Sequence, residues 1–498
     1  MKDSLSSRHL RDEFPIKGLV IWLGILITAG TFLRVFRLDT QSLWADEALQ
    51  YAIARADSVM IVINGALANA NPPLSHIINH LFLSVDTSDL FLRLPSALFG
   101  VFSLPLFFLL VKKIASRKAA LFASLVFAFS PLHIWYSQEG RMYAQLVFLV
   151  LLNHVLLLKA LEQNRVSWWS FYALTLVLGF STQVFMMFVV FSQLPWVIQY
   201  YRNRMLSFSV SIVVSILHFV PLVGLFLHSF IVSMGKYEGA DFSLGALPYT
   251  FFAYSAGFSL GPSVAALHES RSLDLLSHFL PSIMAVSVVF GVLIILGIGE
   301  LKNRNEGKWL SLCLLGLLVP LAGTMVYSIF LRYNVRYTIV ALPFFCILVG
   351  SGLAFIQRCS RPVYLLMMGS IILIIASSLH NYYANPAYAK EDVKSAVVQW
   401  RRMSEKEPLL SNASNTVNRY LKEDERIRHF SILGSANTVD TLAGFLDTYK
   451  SKSFYILLAR DWNQQAEKKL RNTFTIINEY SFPGVKLLHF KRNRDALK

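Results

Sequence analysis

Eleven long apolar runs constrain this chain more than any other feature. They are Leu19–Val35, Leu92–Val111, Ala119–Ile134, Ala144–Leu161, Trp168–Thr182, Val184–Tyr200, Phe208–Phe230, Pro281–Ile298, Leu310–Phe330, Tyr337–Phe355 and Tyr364–Leu379. About 17–25 residues of helix cross a bilayer's hydrocarbon. Inside lipid every backbone N–H and C=O must be bonded within the protein, so such runs are predicted to be helices. With 55% hydrophobic and 15% charged residues, the chain has too little polar surface for a soluble fold, where about a quarter is charged. The 38 phenylalanines suit lipid-facing helices and interfacial belts. The reading is an α-helical polytopic membrane protein with about eleven transmembrane helices.

The net charge of +16 would suit a nucleic-acid partner if it formed one patch. Instead the basic residues cluster in short loops: Lys112, Lys113, Arg117 and Lys118; Arg202 and Arg204; Lys302, Arg304 and Lys308; Arg358 and Arg361. No nucleic-acid partner is expected. If Trp168–Tyr200 is two helices, all these clusters share the N-terminal side, which the positive-inside rule makes cytoplasmic. If it is one helix they split between two faces. The odd count therefore wins and places the tail outside. Asp12 and Glu13 precede the first run without a cleavage site, so that run reads as an uncleaved span. Cys313, Cys346 and Cys359 form no CxxC pair and suggest neither a disulfide framework nor a thiolate metal site.

The expected domains are 1–380, a membrane bundle with a long outer loop at 37–91, and 381–498, a small extracytoplasmic α/β domain. In the loop, Glu47–Ala56 and His76–Leu83 read as amphipathic helices on the membrane surface. A second outer segment is the short His133–Arg141, and a third, Ser233–His278, is expected to wrap over the site. In the tail, helices are predicted at Glu391–Met403, Thr416–Lys422, Thr438–Tyr449 and Gln464–Arg471. Strands are predicted at Leu409–Asn412, Ile427–Leu433, Phe454–Ala459, Thr473–Tyr480 and Val485–Phe490. No Gly-rich phosphate fingerprint opens any of these helices, so no nucleotide cofactor is expected.

Four polar motifs interrupt the pattern near the outer ends of the spans. In Ser42-Leu43-Trp44-Ala45-Asp46-Glu47-Ala48, adjacent carboxylates can supply a general base, a metal ligand or both. The plainer reading is a helix start, with Asp46 capping and Glu47 favouring the dipole. Trp135 to Tyr143 offers Glu139, Arg141 and two phenols, either an interfacial ion pair or a site where arginine grips phosphate. In Asn69 to His76, the Pro72-Pro73 pair fixes an extended turn before a helix, and His76 is either structural or a metal or substrate contact. In Arg332 to Tyr337, Arg336 opposes the positive-inside trend and suggests an anionic partner, a lipid headgroup being the plain alternative.

Arg37-Leu38-Asp39, the Ser42–Glu47 run, Asn71-Pro72-Pro73-Leu74, Leu92-Arg93-Leu94-Pro95-Ser96, Ser130-Pro131 and Tyr136 to Tyr143 together resemble glycosyltransferase family 39. These are GT-C-fold membrane enzymes related to dolichyl-phosphate-mannose–protein mannosyltransferases, in the bacterial branch without MIR domains. The resemblance covers roughly the first third of the chain, and Arg336-Tyr337…Pro343 follows it more loosely. It implies transfer of a sugar, with inversion, from a polyprenyl-phosphate donor to a lipid, glycan or protein acceptor at the outer face of the cell (inner) membrane. It implies Asp46 as base, Glu47 as its neighbour and Glu139 as the second acidic position. Arg141, Tyr143, Arg336, Tyr337, Asn71, His76 and Arg93 become candidate donor or acceptor contacts. A divalent metal ion is a candidate cofactor, with Asp46 and Glu139 its candidate ligands. Lipid A aminoarabinose transferases, a related branch, carry Glu-Lys-Pro where this chain has Asn71-Pro72-Pro73, so that branch's metal site and substrate do not carry over. The alternative is a transporter or flippase for a lipid-linked or anionic substrate. It would place ionisable residues at midplane and show internal repeats, whereas here the charges sit at the interface and the halves show no repeat.

Overall fold

The computed structural model describes residues 16–234, 245–263, 266, 273–303, 307–330, 333–404, 407–431, 453–461 and 464–491. The chain forms two compact units. One comprises Met1–Leu38, Ala56–Gly257 and Pro281–Ser378; the other comprises Asp39–Arg55, Phe258–Leu280 and Leu379–Lys498.

The first half runs α1 (Ile16–Val35), α2 (Ala45–Ala54), α3 (Val59–Ala68), α4 (Leu74–Leu83), α5 (Asp89–Ile114), α6 (Arg117–Ala128), α7 (Pro131–Ser137), α8 (Tyr143–Gln163) and α9 (Val166–Thr182). Next come α10 (Met186–Tyr200), α11 (Met205–Met234), α12 (Ala246–Ala256), α13 (Leu273–Lys302), α14 (Lys308–Tyr327), α15 (Leu342–Cys359) and α16 (Arg361–Ala384). Among the described residues, eight helices are long and apolar enough to cross a membrane, and α6 with α7 makes a ninth bent by 53°. The protein is a multi-pass membrane protein. All eleven predicted runs are helical, but α9 and α10, at 17 and 15 residues, are short for independent spans. They divide where Gln183 takes an extended backbone and its side chain accepts from the Val184 N–H at 2.8 Å.

Small residues let the central helix of the first unit sit close to its neighbours. A Cβ on Gly350 of α15 would fall 2.3 Å from Ala123 N on α6, and one on Gly352 would fall 2.0 Å from the Leu293 carbonyl oxygen on α13. Packing through small residues is how helices associate where lipid is as apolar as the side chains. At the helix ends carrying basic loops, Lys113 pairs with Glu162 at 2.8 Å and Arg358 pairs with Glu300. The Trp196 indole N–H donates to the Lys308 carbonyl at 2.9 Å.

In the outer loop, α2 and α4 each begin two residues ahead of the expected starts. The helix α3 was not expected; its Val-Met-Ile-Val-Ile start carries no amphipathic period, and Ser58 caps it by accepting from the Ile61 N–H. Much of Ser233–His278 lies outside the described residues.

The tail contains α17 (Val393–Met403), β1 (Leu409–Ser411), α18 (Ser414–Tyr420), α19 (Glu423–Arg426), β2 (His429–Ser431), β3 (Ser453–Ala459), α20 (Gln465–Thr473), β4 (Thr475–Phe482) and β5 (Val485–Lys491). The predicted helix Thr438–Tyr449 lies outside the described residues, as does the end of the strand predicted to reach Leu433. The sheet order is β2-β1-β3-β5-β4; the first three strands are parallel and β5 is antiparallel to both neighbours. Alternate residues of β3 enter opposite cores: Tyr455 and Leu457 join Trp400, while Phe454 and Ile456 join Leu470 and Phe490. Burial on both faces explains why this strand reads as continuously apolar. Trp400 is fully buried. Trp400→Ala is expected to destabilise the tail by roughly 3–5 kcal/mol, read as a lowered unfolding midpoint of the detergent-solubilised protein.

Candidate active site

In the first unit, the break between α6 and α7 builds the site's framework. Ser130 caps α7 by accepting from the His133 N–H at 3.4 Å, and Pro131 occupies the first helical turn, where its missing N–H costs nothing. The next turn carries Gln138, whose side-chain N–H donates to the carbonyls of Leu33 (3.0 Å), Arg34 (3.3 Å) and Phe36 (2.8 Å). Gln138 thereby caps the C-terminus of α1, whose last carbonyls have no partners within the helix. Fully buried Arg34 donates to the carbonyls of Gly30 and Ala128 at 2.8 and 2.9 Å, and its other nitrogen meets His133 Nδ1 at 2.7 Å. Neither Arg34 nor Gln138 was a candidate from sequence. An arginine inside an apolar run was the available signal.

Glu139 and Arg141 are both buried, on a turn closed by the Arg141 N–H donating to the Glu139 carbonyl at 2.7 Å. A Cβ on Gly140 between them would lie 2.7 Å from Leu92 Cγ, so the turn can press onto α5 only with glycine there. Ser96 of α5 donates to the Arg141 carbonyl at 2.9 Å. Tyr143, first residue of α8, stacks obliquely on Tyr136 with ring centroids 5.0 Å apart. Arg336, far away in sequence, places its guanidinium 5.8 Å from the Tyr143 ring centroid and 5.4 Å from that of Tyr337. Tyr337 in turn packs on Phe185 at 4.7 Å. Asn334 holds this segment by accepting from the Arg336 N–H at 3.1 Å. The structure thus joins Tyr143, Arg336 and Tyr337 with Tyr136, a phenol-lined arginine suited to an oxyanion. Arg332 lies outside the described residues.

The remaining candidates of this unit have tighter local roles. The Asn71 amide donates to the Asn69 carbonyl at 2.8 Å within the turn before α4. Buried Arg93 donates to the Leu38 carbonyl at 2.9 Å. His76 is fully buried, and neither ring nitrogen makes a hydrogen bond of standard geometry. Burial, reinforced by the Arg141 guanidinium, pushes its pKa down to about 3 against the opposing Pro72 carbonyl.

In the second unit, Asp46 and Glu47 occupy the first turn of α2. The N-cap is Trp44, which makes no side-chain capping bond, so the capping role expected for Asp46 is not observed. Trp44 precedes the two carboxylates and leaves them inside the helix. Glu47 is fully buried and accepts from Lys390 Nζ at 3.3 Å. Among the described residues no group of three or more His, Cys, Asp and Glu side chains could hold a metal ion. The two candidate metal ligands, Asp46 and Glu139, belong to different units.

The family model described as dolichyl-phosphate-mannose-protein mannosyltransferase matches residues 70–227. The chain is similar to glycosyltransferase family 39. The match includes Asn71, His76, Arg93, Glu139, Arg141 and Tyr143, while Asp46, Glu47 and Arg336 lie beyond it. The Bacillus subtilis (strain 168) protein named "Putative mannosyltransferase YkcB" is 26% identical over 186 residues. That stretch is 35% of this chain and spans only 25% of the relative. ArnT from Cupriavidus metallidurans in the apo state matches with TM-score 0.56 at 13% identity, covering 94% of this chain and 98% of ArnT. Its form bound to undecaprenyl phosphate matches at 0.53 and 13% identity, covering 97% and 100%. The Archaeoglobus fulgidus oligosaccharyltransferase AglB, in complex with an inhibitory peptide and a dolichol-phosphate, matches at 0.55 and 12% identity, covering 96% and 74%. The chain shares the fold of these GT-C membrane glycosyltransferases.

Two outcomes test this framework. Gln138→Leu leaves one buried and two part-buried carbonyls without their donor and is expected to cost about 1–3 kcal/mol, seen as a lower unfolding midpoint. Between about pH 3 and 6.5 the folded chain binds fewer protons at His76 than the unfolded chain does. That contribution to stability is full above pH 6.5 and declines as pH falls toward 3. His76→Phe is expected to flatten this part of the midpoint-against-pH curve.

Proposed function

We propose that the protein is an inverting membrane glycosyltransferase, moving a sugar from a polyprenyl-phosphate donor to an acceptor hydroxyl at the outer face of the cell membrane. In this reading the N-terminus is cytoplasmic and residues 381–498 are extracytoplasmic. The observation that carries it is the meeting of Arg336 with Tyr143, which begins a helix inside the family match. A guanidinium fixed between phenols suits the phosphate of a lipid-linked donor whose chain stays in the bilayer. Two of the solved structures sharing the fold hold polyprenyl phosphates, the lipid part of such a donor: undecaprenyl phosphate and a dolichol-phosphate.

The acceptor oxygen attacks the anomeric carbon, and the bond from that carbon to the phosphate oxygen breaks, its electron pair leaving with the polyprenyl phosphate. Asp46 takes the hydroxyl proton, and Arg141 and Arg336 offset the charge gathering on the phosphate. One displacement inverts the anomeric centre. The side chains carry this proton and charge balance.

Asp46→Asn, purified into nanodiscs with polyprenyl-phosphate sugars, is expected to lower kcat by roughly 10²–10⁴-fold with donor KM little changed. Transfer equal to wild type overturns the base assignment. Arg336→Gln is expected to raise donor KM about tenfold or more, since charge-assisted bonds to phosphate are the strong ones. Wild type that moves lipid-linked sugar across liposomes without transferring it supports the transporter instead.

A further inference from the structure

The acidic motif lies hundreds of residues before the tail, yet it is built onto it. Five ties run between residues 42–51 and the tail within the second unit. Ser42 Oγ accepts from the Lys394 N–H at 3.2 Å, and the Leu43 N–H donates to the Tyr420 hydroxyl at 2.7 Å. Arg419 lies 4.3 Å over the Tyr51 ring, and Arg460 lies 5.4 Å over the Trp44 ring. Lys390 Nζ reaches Glu47 at 3.3 Å, with the two side chains 5% and 0% exposed.

Three consecutive residues ahead of α17 organise three of these ties. Lys390 takes Glu47; Glu391 accepts two bonds from Arg460, at 2.5 and 3.2 Å; Asp392 caps α17 by accepting from the Ser395 N–H at 3.0 Å. Arg460 itself holds a left-handed backbone with φ 58° at the end of β3, which marks a site fixed by its surroundings. The first turn of α2 is therefore gripped at both Trp44 and Glu47, the residues on either side of Ala45 and Asp46. A buried charge pair costs much to desolvate and breaks badly when one partner goes, so it specifies geometry more than it adds stability.

We infer that Lys390 is a positioning residue of the transfer reaction: by holding Glu47 it fixes the first turn of α2 and hence the direction in which Asp46 presents its carboxylate. The tail is then a working part of the reaction. This rests on the function proposed above only for its kinetic arm. Lys390 touches no reacting atom and acts through Glu47.

Two measurements on the full-length protein test it. Hydrogen exchange needs no substrate: Lys390→Met is expected to speed exchange of the Ala45–Ala54 amides at least tenfold while β3 and β5 keep wild-type protection, and Lys390→Arg is expected to restore slow exchange. Unchanged exchange in Lys390→Met overturns the grip, whether or not the protein transfers sugar; exchange raised throughout the tail marks a merely structural lysine and also overturns it. In transfer assays Lys390→Met is expected to lose kcat by roughly 10²-fold, the scale of a small misplacement of a reacting group, with donor KM within about twofold. Combining it with Glu47→Gln is expected to lose no more than Glu47→Gln alone. Additive losses, or loss confined to KM, overturn the positioning role. Wild type with no transfer but with the exchange pattern described rejects the glycosyltransferase reading and keeps the grip on α2.

Discussion

No water in the bilayer core can satisfy a backbone N–H or C=O, and the rest of this structure follows from that. Each apolar run becomes a helix, and polar chemistry is pushed to helix ends and breaks. The four orphan carbonyls at a helix end then become a problem to be solved. At the end of α1 the solution is Gln138, which spans the carbonyls of Leu33, Arg34 and Phe36. Because Glu139 and Arg141 follow directly, the capping bond that closes one helix also sets the turn that carries two candidate site residues.

The same constraint explains the close helix contacts. Without a hydrophobic drive between helices in lipid, association depends on close approach and on polar ties. Glycines at 350 and 352 bring the backbone of α15 against α6 and α13. A satisfied polar network joins α8, α9 and α10: the Tyr172 hydroxyl donates to Gln193, Gln193 donates to Asn153, and Asn153 donates to Thr175. These contacts hold the bundle so that α8 can present Tyr143 to Arg336.

The second unit follows soluble-protein rules, with two apolar cores on opposite faces of a sheet whose central strand β3 is buried on both. Its ion pairs, such as Arg401 with Glu425 at 2.5 and 2.8 Å, are part-buried and bidentate. The Arg401 guanidinium is the main reason the Glu425 carboxyl sits below its usual range, against the opposing effect of burial. Inclusion of Asp39–Arg55 in this unit gives the outer loop a partner that its own sequence does not name.

Membrane helices were legible because hydropathy is local: the apolar runs identify themselves, and a doubly buried tail strand such as Phe454–Ala459 identifies itself as a short, continuously apolar run. Starts set by local chemistry were nearly legible, with α2 and α4 displaced by two residues. The α3 helix was missed because it carries no amphipathic period, and the plain reading of Asp46 as a cap gives way because Trp44, which offers no capping oxygen, holds the N-cap position instead. Gln138 and Lys390 left no signal in the sequence as working residues, and Arg34 left only its place inside an apolar run, which does not name its partners. Each acts on a partner far along the chain: Arg34 on Ala128 and His133, Gln138 on the end of α1, Lys390 on Glu47. By itself the sequence determined that the chain enters a membrane, where its long apolar helices lie and which motifs carry charge, because these depend on neighbours a few residues away. Only tertiary structure decided that Arg336 meets Tyr143 and that the acidic motif rests on the tail, because long-range packing leaves no period in the chain.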